Sequence, residues 1–425
     1  MMLLRLGKLL FLSLFITGCG SNIYYFEQAS KQESTQNNTT SLFIDAFGGL
    51  YPKETLPKHW QQTNSEFEAM LFKLFHANNQ RCDELKRKQE AYLLCKASAE
   101  LSSWRDAQST LWQSRADYIF SQIEGQDKDL VILIHGFNNE YKESSSNISL
   151  LVDEVEKYRG NKAFFFVKVF WDGFTTNTGL GAWGKAQSSG PLAGFQLRQL
   201  LNALSLKYDS TELTPRLVFL THSSGAFVAG STLGNPIYAQ QNLQNPGRLW
   251  DYGLFHKYRE GNVDAGHYRI PRFRATSLGM FAAATPSTTF THTKVDKDEI
   301  GSIGLLSNNT SLVLSINPRD FALGKGFRLY NFSFTGSTDA GASEEKFCKR
   351  LAQMPYVKPN VLKVRAINYE SQNHPFYDIW DEHGLGGNEG YLSDKNRKRN
   401  ATFFDAILHN NYGDPNNLFL DCSKF

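Results

Sequence analysis

The 425-residue sequence has no marked excess of either charge, since 45 basic and 42 acidic residues leave a formal net charge of +3. Arg5 and Lys8 lie in an amino-terminal segment that we expect to be removed, and +3 − 2 leaves +1. Without a basic surplus, the chain lacks the electrostatic signature of nucleic-acid-binding proteins. We therefore expect no nucleic-acid partner.

Metal-binding patterns are also missing. No two cysteines have CxxC spacing, no histidine stands at a ligand-like offset from a cysteine, and no HExxH motif occurs. We therefore expect neither a metal site nor a cofactor. Apolar residues make up 41% of the chain and charged residues 20%, as in average globular proteins, which excludes a disordered chain and a multi-span membrane protein.

The amino terminus has the pattern of an export signal. Residues 1–19 combine a short basic region, containing Arg5 and Lys8, with an apolar run at residues 9–16 and small residues before a cysteine. The apolar run is shorter than the roughly 20 residues that span a bilayer. We therefore predict a cleaved signal rather than a permanent transmembrane anchor.

Residues 16–19, Ile-Thr-Gly-Cys, resemble the lipobox of bacterial lipoproteins. The resemblance implies a signal peptide over residues 1–18 and lipidation of Cys19 as the first mature residue. Gly20, rather than aspartate, is similar to an outer-membrane sorting signal. The implied location is the bacterial cell envelope, lipid-anchored in the outer membrane if the cell is diderm. The alternative is a plain secretory signal with a chance cysteine.

Four cysteines remain when Cys19 is set aside, an even number that indicates disulfides in an exported chain. Four cysteines allow three pairings, and the sequence does not choose among them. Locality favours Cys82 with Cys95 and Cys348 with Cys422.

The segments before the main domain differ in composition. The stretch at residues 21–41 is rich in Gln, Asn, Ser and Thr, so we expect a flexible tether over residues 19–42. Apolar residues recur at helical spacing between residues 66 and 122. Two or three helices are therefore predicted within an amino-terminal extension over residues 43–125.

Residues 126–425 contain apolar runs typical of strands buried on both faces of a parallel sheet. The runs lie at residues 130–134, 163–170, 216–220, 278–284, 311–316 and 361–367. Their spacing leaves room for helices between them, which predicts an α/β fold with a doubly wound, mostly parallel sheet. An aromatic-rich insertion at residues 234–272 is either a lid or a surface excursion.

A predicted strand at residues 216–220 runs into residues 221–225, Thr-His-Ser-Ser-Gly. This resembles the G-x-S-x-G nucleophile elbow of the α/β-hydrolase family. Because Gly225 lies two residues after it, Ser223 corresponds to the nucleophile. Thr221 replaces the first glycine of the pattern, a departure that we expect to crowd the turn.

His135, Gly136 and Phe137 directly follow the first predicted strand and resemble the HGF segment of the same family. The resemblance implies an oxyanion hole formed by the backbone N–H groups of Phe137 and Ser224. We expect His135 itself to be structural.

The family carries its acid and then its histidine after the nucleophile. Asp320 follows the predicted strand at residues 311–316 and is our choice of acid, with Asp339 and Glu370 as weaker alternatives.

Two histidines follow the last predicted strand, His374 and His383. We favour His383 as the base, because the glycine-rich stretch at residues 384–387 permits an open loop. His374 remains the alternative.

The resemblance implies a membrane-anchored serine hydrolase that cleaves carboxylic esters, with a small-molecule or lipid ester as substrate. A Ser-His-Asp triad would act through an acyl-enzyme. The alternative is a catalytically silent α/β-hydrolase fold that serves as a binding or scaffold module of the envelope.

Overall fold

A seven-stranded parallel sheet organises the fold. The computed structural model describes residues 24–31, 38–61, 70–137, 139–172, 180–208, 214–233, 273–285, 310–318, 320, 323, 341, 343–353, 362–369, 383–388, 390–413 and 418–424. Among these residues, no helix is both long enough and apolar enough to cross a membrane.

The strands follow one another along the chain but not across the sheet. Their bounds are β1 Thr39–Ile44, β2 Lys128–Ile134, β3 Ala163–Trp171, β4 Leu217–His222, β5 Thr276–Phe281, β6 Thr310–Ile316 and β7 Leu362–Asn368. Their order across the sheet is β1-β3-β2-β4-β5-β6-β7, and each neighbouring pair is parallel. The carboxyl ends of all seven strands therefore meet at one edge of the sheet.

Six of these strands coincide with the predicted apolar runs, which confirms the α/β class and the parallel sheet. The described side chains of β4, β5 and β6 are buried throughout, as a sheet covered on both faces requires. The fifth strand ends earlier than expected, at Phe281, because Ala282 adopts a left-handed backbone conformation with φ 48° that ends the extended run.

Nine α-helices are described. They are α1 Phe26–Lys31, α2 Leu71–Ala77, α3 Gln89–Ala97, α4 Leu101–Ile123, α5 Tyr141–Tyr158, α6 Leu180–Tyr208, α7 Gly225–Leu233, α8 Glu344–Gln353 and α9 Arg397–His409. Helices α6 and α7 pack against each other, and α7 contacts β2, β4 and β5. Helix α5 contacts β2, β3 and α9, while α9 also contacts β5 and β6.

Two ordered elements lie within residues 19–42, where we expected a flexible tether. Helix α1 places the aromatic rings of Tyr25 and Phe26 in the core, and both residues are fully buried. Strand β1 begins at Thr39 and forms the edge of the sheet beside β3. The polar composition of this stretch conceals a few aromatic and aliphatic residues whose burial stabilises both elements.

The amino-terminal extension contains α2, α3 and α4, and it is not a separate layer ahead of the sheet. Its first residues, Phe43 and Ile44, complete strand β1. Helix α4 packs against α6, so the extension shares the core of the sheet domain. A disulfide between Cys82 and Cys95 joins the 3₁₀ turn Asn79–Leu85 to α3.

The carboxyl terminus is fastened beside the last strand. Cys348 in α8 forms a disulfide with Cys422, so both pairings that locality favours are present. Phe419 forms an antiparallel bridge with Ile367, and the Leu420 N–H donates to the carbonyl oxygen of Ala366 at 2.8 Å. This segment covers the hydrogen-bonding edge of β7, which reduces its tendency to pair with another chain. The expected insertion at residues 234–272 lies outside the described residues.

Arg216, just before β4, holds the end of α9. Its buried guanidinium donates to the carbonyl oxygens of Leu408 and Ile407 at 2.5 and 2.8 Å, and to Ser277 Oγ at 2.8 Å. The two carbonyls belong to the last turn of the helix, where backbone acceptors lack helical partners and the helix dipole favours a cation. Burial lowers the pKa of Arg216 below its ordinary value.

Candidate functional site

A sharp turn between β4 and α7 carries Ser223. Its φ of 52° is left-handed, a conformation that is uncommon for residues other than glycine and that concentrates at functional sites. The Ser223 N–H donates to the carbonyl oxygen of Phe281 at 2.9 Å, and the Ser223 carbonyl accepts from Ala284 N–H at 3.2 Å. Hydrogen bonds to the end of β5 and the residues after it therefore hold the strained backbone of Ser223 in place.

Two glycines let the turn approach β2 closely. A Cβ on Gly136 would lie 2.9 Å from the Ser223 Cβ, and a Cβ on Gly225 would lie 2.6 and 2.7 Å from the carbonyl oxygens of Ile134 and His135. Side chains at either position would force the backbones apart. The glycine two residues after Ser223 and the glycine after His135 thus both have a direct steric reason.

Thr221, the departure from the glycine pattern, does not crowd the turn. It lies inside β4, where it is paired with Ile134 on one side and Met280 on the other. A β-branched residue suits such a buried strand position. The expectation of crowding at Thr221 is therefore corrected.

The structure brings Ser223, His383 and Asp320 together. His383 Nε2 lies 2.9 Å from Ser223 Oγ, and His383 Nδ1 lies 3.0 and 2.9 Å from the two carboxylate oxygens of Asp320. A carboxylate only accepts hydrogen bonds, so Nδ1 carries the proton and Nε2 is the acceptor for the serine hydroxyl. The arrangement places Nε2 of the imidazole where it can take the proton of Ser223.

Asp320 is fully buried and held by three kinds of donor. Besides His383, its Oδ1 accepts from the Leu323 N–H at 3.1 Å and its Oδ2 accepts from the Tyr391 hydroxyl at 2.9 Å. Burial and then the neighbouring Asp320 raise the pKa of Tyr391 well above its ordinary value, so the phenol stays protonated and remains a donor. These bonds fix the carboxylate against the imidazole.

A backbone hydrogen bond closes the loop that begins at His383. The Tyr391 N–H donates to the carbonyl oxygen of Gly384 at 3.0 Å, and Gly387 has a left-handed φ of 82°. A side chain at Gly387 would therefore be strained. The alternative base, His374, and the alternative acids, Asp339 and Glu370, lie outside the described residues.

His135 occupies a structural position, as expected. Its Nδ1 donates to the carbonyl oxygen of Gly136 at 2.6 Å, and its Nε2 accepts from the Trp171 N–H at 3.2 Å. Burial lowers its pKa to about 4, so the ring is neutral. It fixes the start of the loop that contains Phe137.

Phe137 and Ser224 follow β2 and Ser223 at the same edge of the sheet. Gly136, the residue before Phe137, is in close contact with the Ser223 side chain. Ser224 immediately precedes Gly225, the first residue of α7. Both amides are thus located near the serine, where a developing negative charge would need donors.

Two residues near the triad were not predicted from sequence. Tyr391 contacts the carboxylate of Asp320, and His222 contacts the backbone of His383. His222 could have been noticed because it occupies the position before the nucleophile. Nothing in the sequence pairs Tyr391 with Asp320, since 71 residues separate them.

No group of three or more metal-ligating side chains is clustered among the described residues. No model of a known protein family matches the chain, and no curated protein sequence matches it.

Among solved structures, one match is the "crystal structure of an uncharacterized protein from Pseudomonas aeruginosa". The two chains are 15% identical with a TM-score of 0.21, and the match covers 50% of this chain and 38% of the other. The matched region thus spans well under half of that protein. A TM-score this low does not show a shared fold. We therefore infer the function of this chain from its side-chain geometry.

Proposed function

We propose that this protein is a serine hydrolase that cleaves carboxylic esters through an acyl-enzyme. The observation that carries the proposal is the continuous chain of contacts from Ser223 Oγ through the His383 imidazole to the Asp320 carboxylate, each at 2.9–3.0 Å. Serine alone is a weak nucleophile, and this arrangement is the common way to activate it. The left-handed turn at Ser223 adds support, because it matches the strained turn of a nucleophile elbow.

The reaction follows from the positions of the atoms. His383 Nε2 accepts the hydroxyl proton as Ser223 Oγ attacks the ester carbonyl carbon. The carbonyl oxygen becomes an oxyanion, and the N–H groups of Phe137 and Ser224 are the donors that we assign to it. The imidazolium then protonates the departing alkoxide, which leaves an acyl group on Ser223.

Water completes the cycle. His383 takes a proton from the water as its oxygen attacks the acyl carbon, and the collapse of the second oxyanion returns the proton to Ser223 Oγ. The carboxylic acid product leaves. Asp320 keeps its charge throughout and stabilises the imidazolium in both halves of the reaction.

We further propose that the protein acts at the bacterial cell envelope, anchored through lipidated Cys19. In that setting an ester with an apolar acyl chain, including a membrane lipid, is the expected substrate class. The support is the lipobox resemblance at residues 16–19 together with the many aromatic residues, 32 Phe and 18 Tyr.

The test uses the chain from residue 20 onwards, a fluorophosphonate probe and a series of p-nitrophenyl esters of increasing acyl length. The unmutated protein should react with the probe and hydrolyse the esters, while Ser223→Ala should do neither and stay folded. Ser224→Ala is the matched control, because it removes the neighbouring hydroxyl but keeps its backbone N–H. Labelling of Ser223→Ala would move the nucleophile elsewhere, and a folded unmutated protein without labelling or turnover would favour the silent binding module.

A further inference from the structure

His222 forms a second bond between the turn that carries the nucleophile and the loop that carries the base. It is the last residue of β4, and its Nε2 lies 2.7 Å from the carbonyl oxygen of His383. The two residues are 161 positions apart in the chain. The same two segments are therefore joined once through side chains, Ser223 to His383, and once through the backbone of the base.

The chemistry of this bond fixes the state of His222. A carbonyl oxygen only accepts, so Nε2 carries the proton and Nδ1 does not. Nδ1 is buried without a hydrogen-bond partner among the described residues, and the whole residue is 5% exposed. Burial, and next the nearby His383 ring at 5.3 Å between centroids, lower the pKa of His222 to about 3.

The titratable groups that act on His222 are His383, Asp320 and His135, and only Asp320 favours its protonation. His222 is therefore neutral at neutral pH. This neutrality matters, because a second cation beside His383 would oppose formation of the imidazolium during catalysis. A neutral donor can hold the base without raising the free energy of the imidazolium that forms during catalysis.

We propose that His222 is a positioning residue that holds the backbone of the base so that its imidazole stays within reach of Ser223. The inference rests on the proposed serine hydrolase function. The need for such a bond comes from the loop itself, since Gly384, Gly386 and Gly387 give the backbone after His383 unusual freedom. A displacement of about 1 Å at a reacting group costs about 100-fold in rate.

Two substitutions separate the donor from the volume of the ring. His222→Met fills similar space without an N–H, whereas His222→Gln keeps an N–H at similar reach. We expect His222→Met to lower kcat about 10- to 100-fold with KM within twofold, because the bond acts on the position of the base and not on the substrate. His222→Gln should recover most of the loss, which a purely structural role for the imidazole would not predict.

A second measurement does not depend on activity. Hydrogen exchange of the backbone amides at residues 384–392 should be faster in His222→Met than in the unmutated protein, and close to unmutated in His222→Gln. Melting temperatures identify variants that are folded as a whole. If His222→Met does not fold, His222→Asn replaces it, since its amide is too short to reach the carbonyl and the same losses are expected.

The outcomes are separable. A His222→Met protein with kcat within twofold of unmutated, or a His222→Gln protein as slow as His222→Met, would overturn the positioning role. If Ser223→Ala and the unmutated protein prove equally inactive, the hydrolase proposal fails, and the exchange data alone decide on His222. Unchanged exchange in His222→Met would then overturn its role in holding the loop.

Discussion

Asp320→Asn tests the acid of the proposed triad with little change in shape. The Leu323 N–H needs an acceptor, so the amide oxygen should take the place of Oδ1 and the amide nitrogen that of Oδ2. The Tyr391 hydroxyl, which donates to Oδ2 in the unmutated protein, can rotate to accept from that nitrogen. The fold should therefore survive, and we expect a melting temperature within a few degrees of the unmutated protein.

The expected loss of rate comes from the charge. When Ser223 gives up its proton, the His383 imidazolium faces the Asp320 carboxylate across 2.9–3.0 Å. With an effective dielectric constant of about 20, two unit charges at this distance attract by about 5.5 kcal/mol. Losing that attraction in the transition state corresponds to about 10⁴-fold in kcat.

The assay compares kcat on one soluble p-nitrophenyl ester at pH 7.5. Asp394→Asn is the matched control, because it removes an exposed carboxylate three residues after Tyr391 and should leave kcat within twofold. A folded Asp320→Asn protein that keeps more than a tenth of the unmutated turnover would refute the reasoning. Asp320 would then be a structural acid, and the base would be oriented by another group.

Three further expectations concern the anchor and the fold. Cys19→Ser should move the protein from the detergent phase to the aqueous phase, and unchanged partitioning would contradict lipidation at this residue. Arg216→Met should lower the free energy of unfolding, measured in urea, by about 3 kcal/mol, because the last turn of α9 loses charged hydrogen bonds. The control is Arg397→Met at the exposed start of α9, which should change the free energy of unfolding by less than about 0.5 kcal/mol. Burial lowers the pKa of His135 to about 4, so between about pH 6.5 and 4 the unfolded chain binds a proton that the folded chain does not. As the pH is lowered through this range, the free energy of unfolding should decrease by about 3 kcal/mol. His135→Gln should lack this part of the pH dependence.

The parts of the fold that were predictable are those with local signals. Continuous apolar runs predicted six strands, because a strand buried on both faces needs apolar side chains along its whole length. Strand β1 has no such run, since it begins with Thr-Thr-Ser inside a polar stretch. Its position depends on pairing with Phe166–Trp171 of β3, more than 120 residues away, which no local pattern records.

The candidate site was predictable to a similar extent. Strand-end positions and chain order pointed to Ser223 and Asp320 but left both His374 and His383 for the base, and the following glycines favoured His383, the one that the structure brings to Ser223. The supporting bonds from His222 and Tyr391 were not predicted, because each depends on how a loop returns to the sheet. A hydrogen bond from a side chain to a distant carbonyl, as in His222, has no counterpart in residue type or spacing.

The sheet order sets the distance that the imidazole of the base has to bridge. Ser223 follows β4 and Asp320 follows β6, and β5 lies between these strands, so about 10 Å separates the two strand axes. Two hydrogen bonds of 2.9 Å with an imidazole ring between them bridge most of that gap. His383 follows β7, the strand beyond β6, and its ring lies between Ser223 and Asp320. The hydrogen bond from His222 to the His383 carbonyl oxygen joins the backbone of the base to the end of β4, next to the serine.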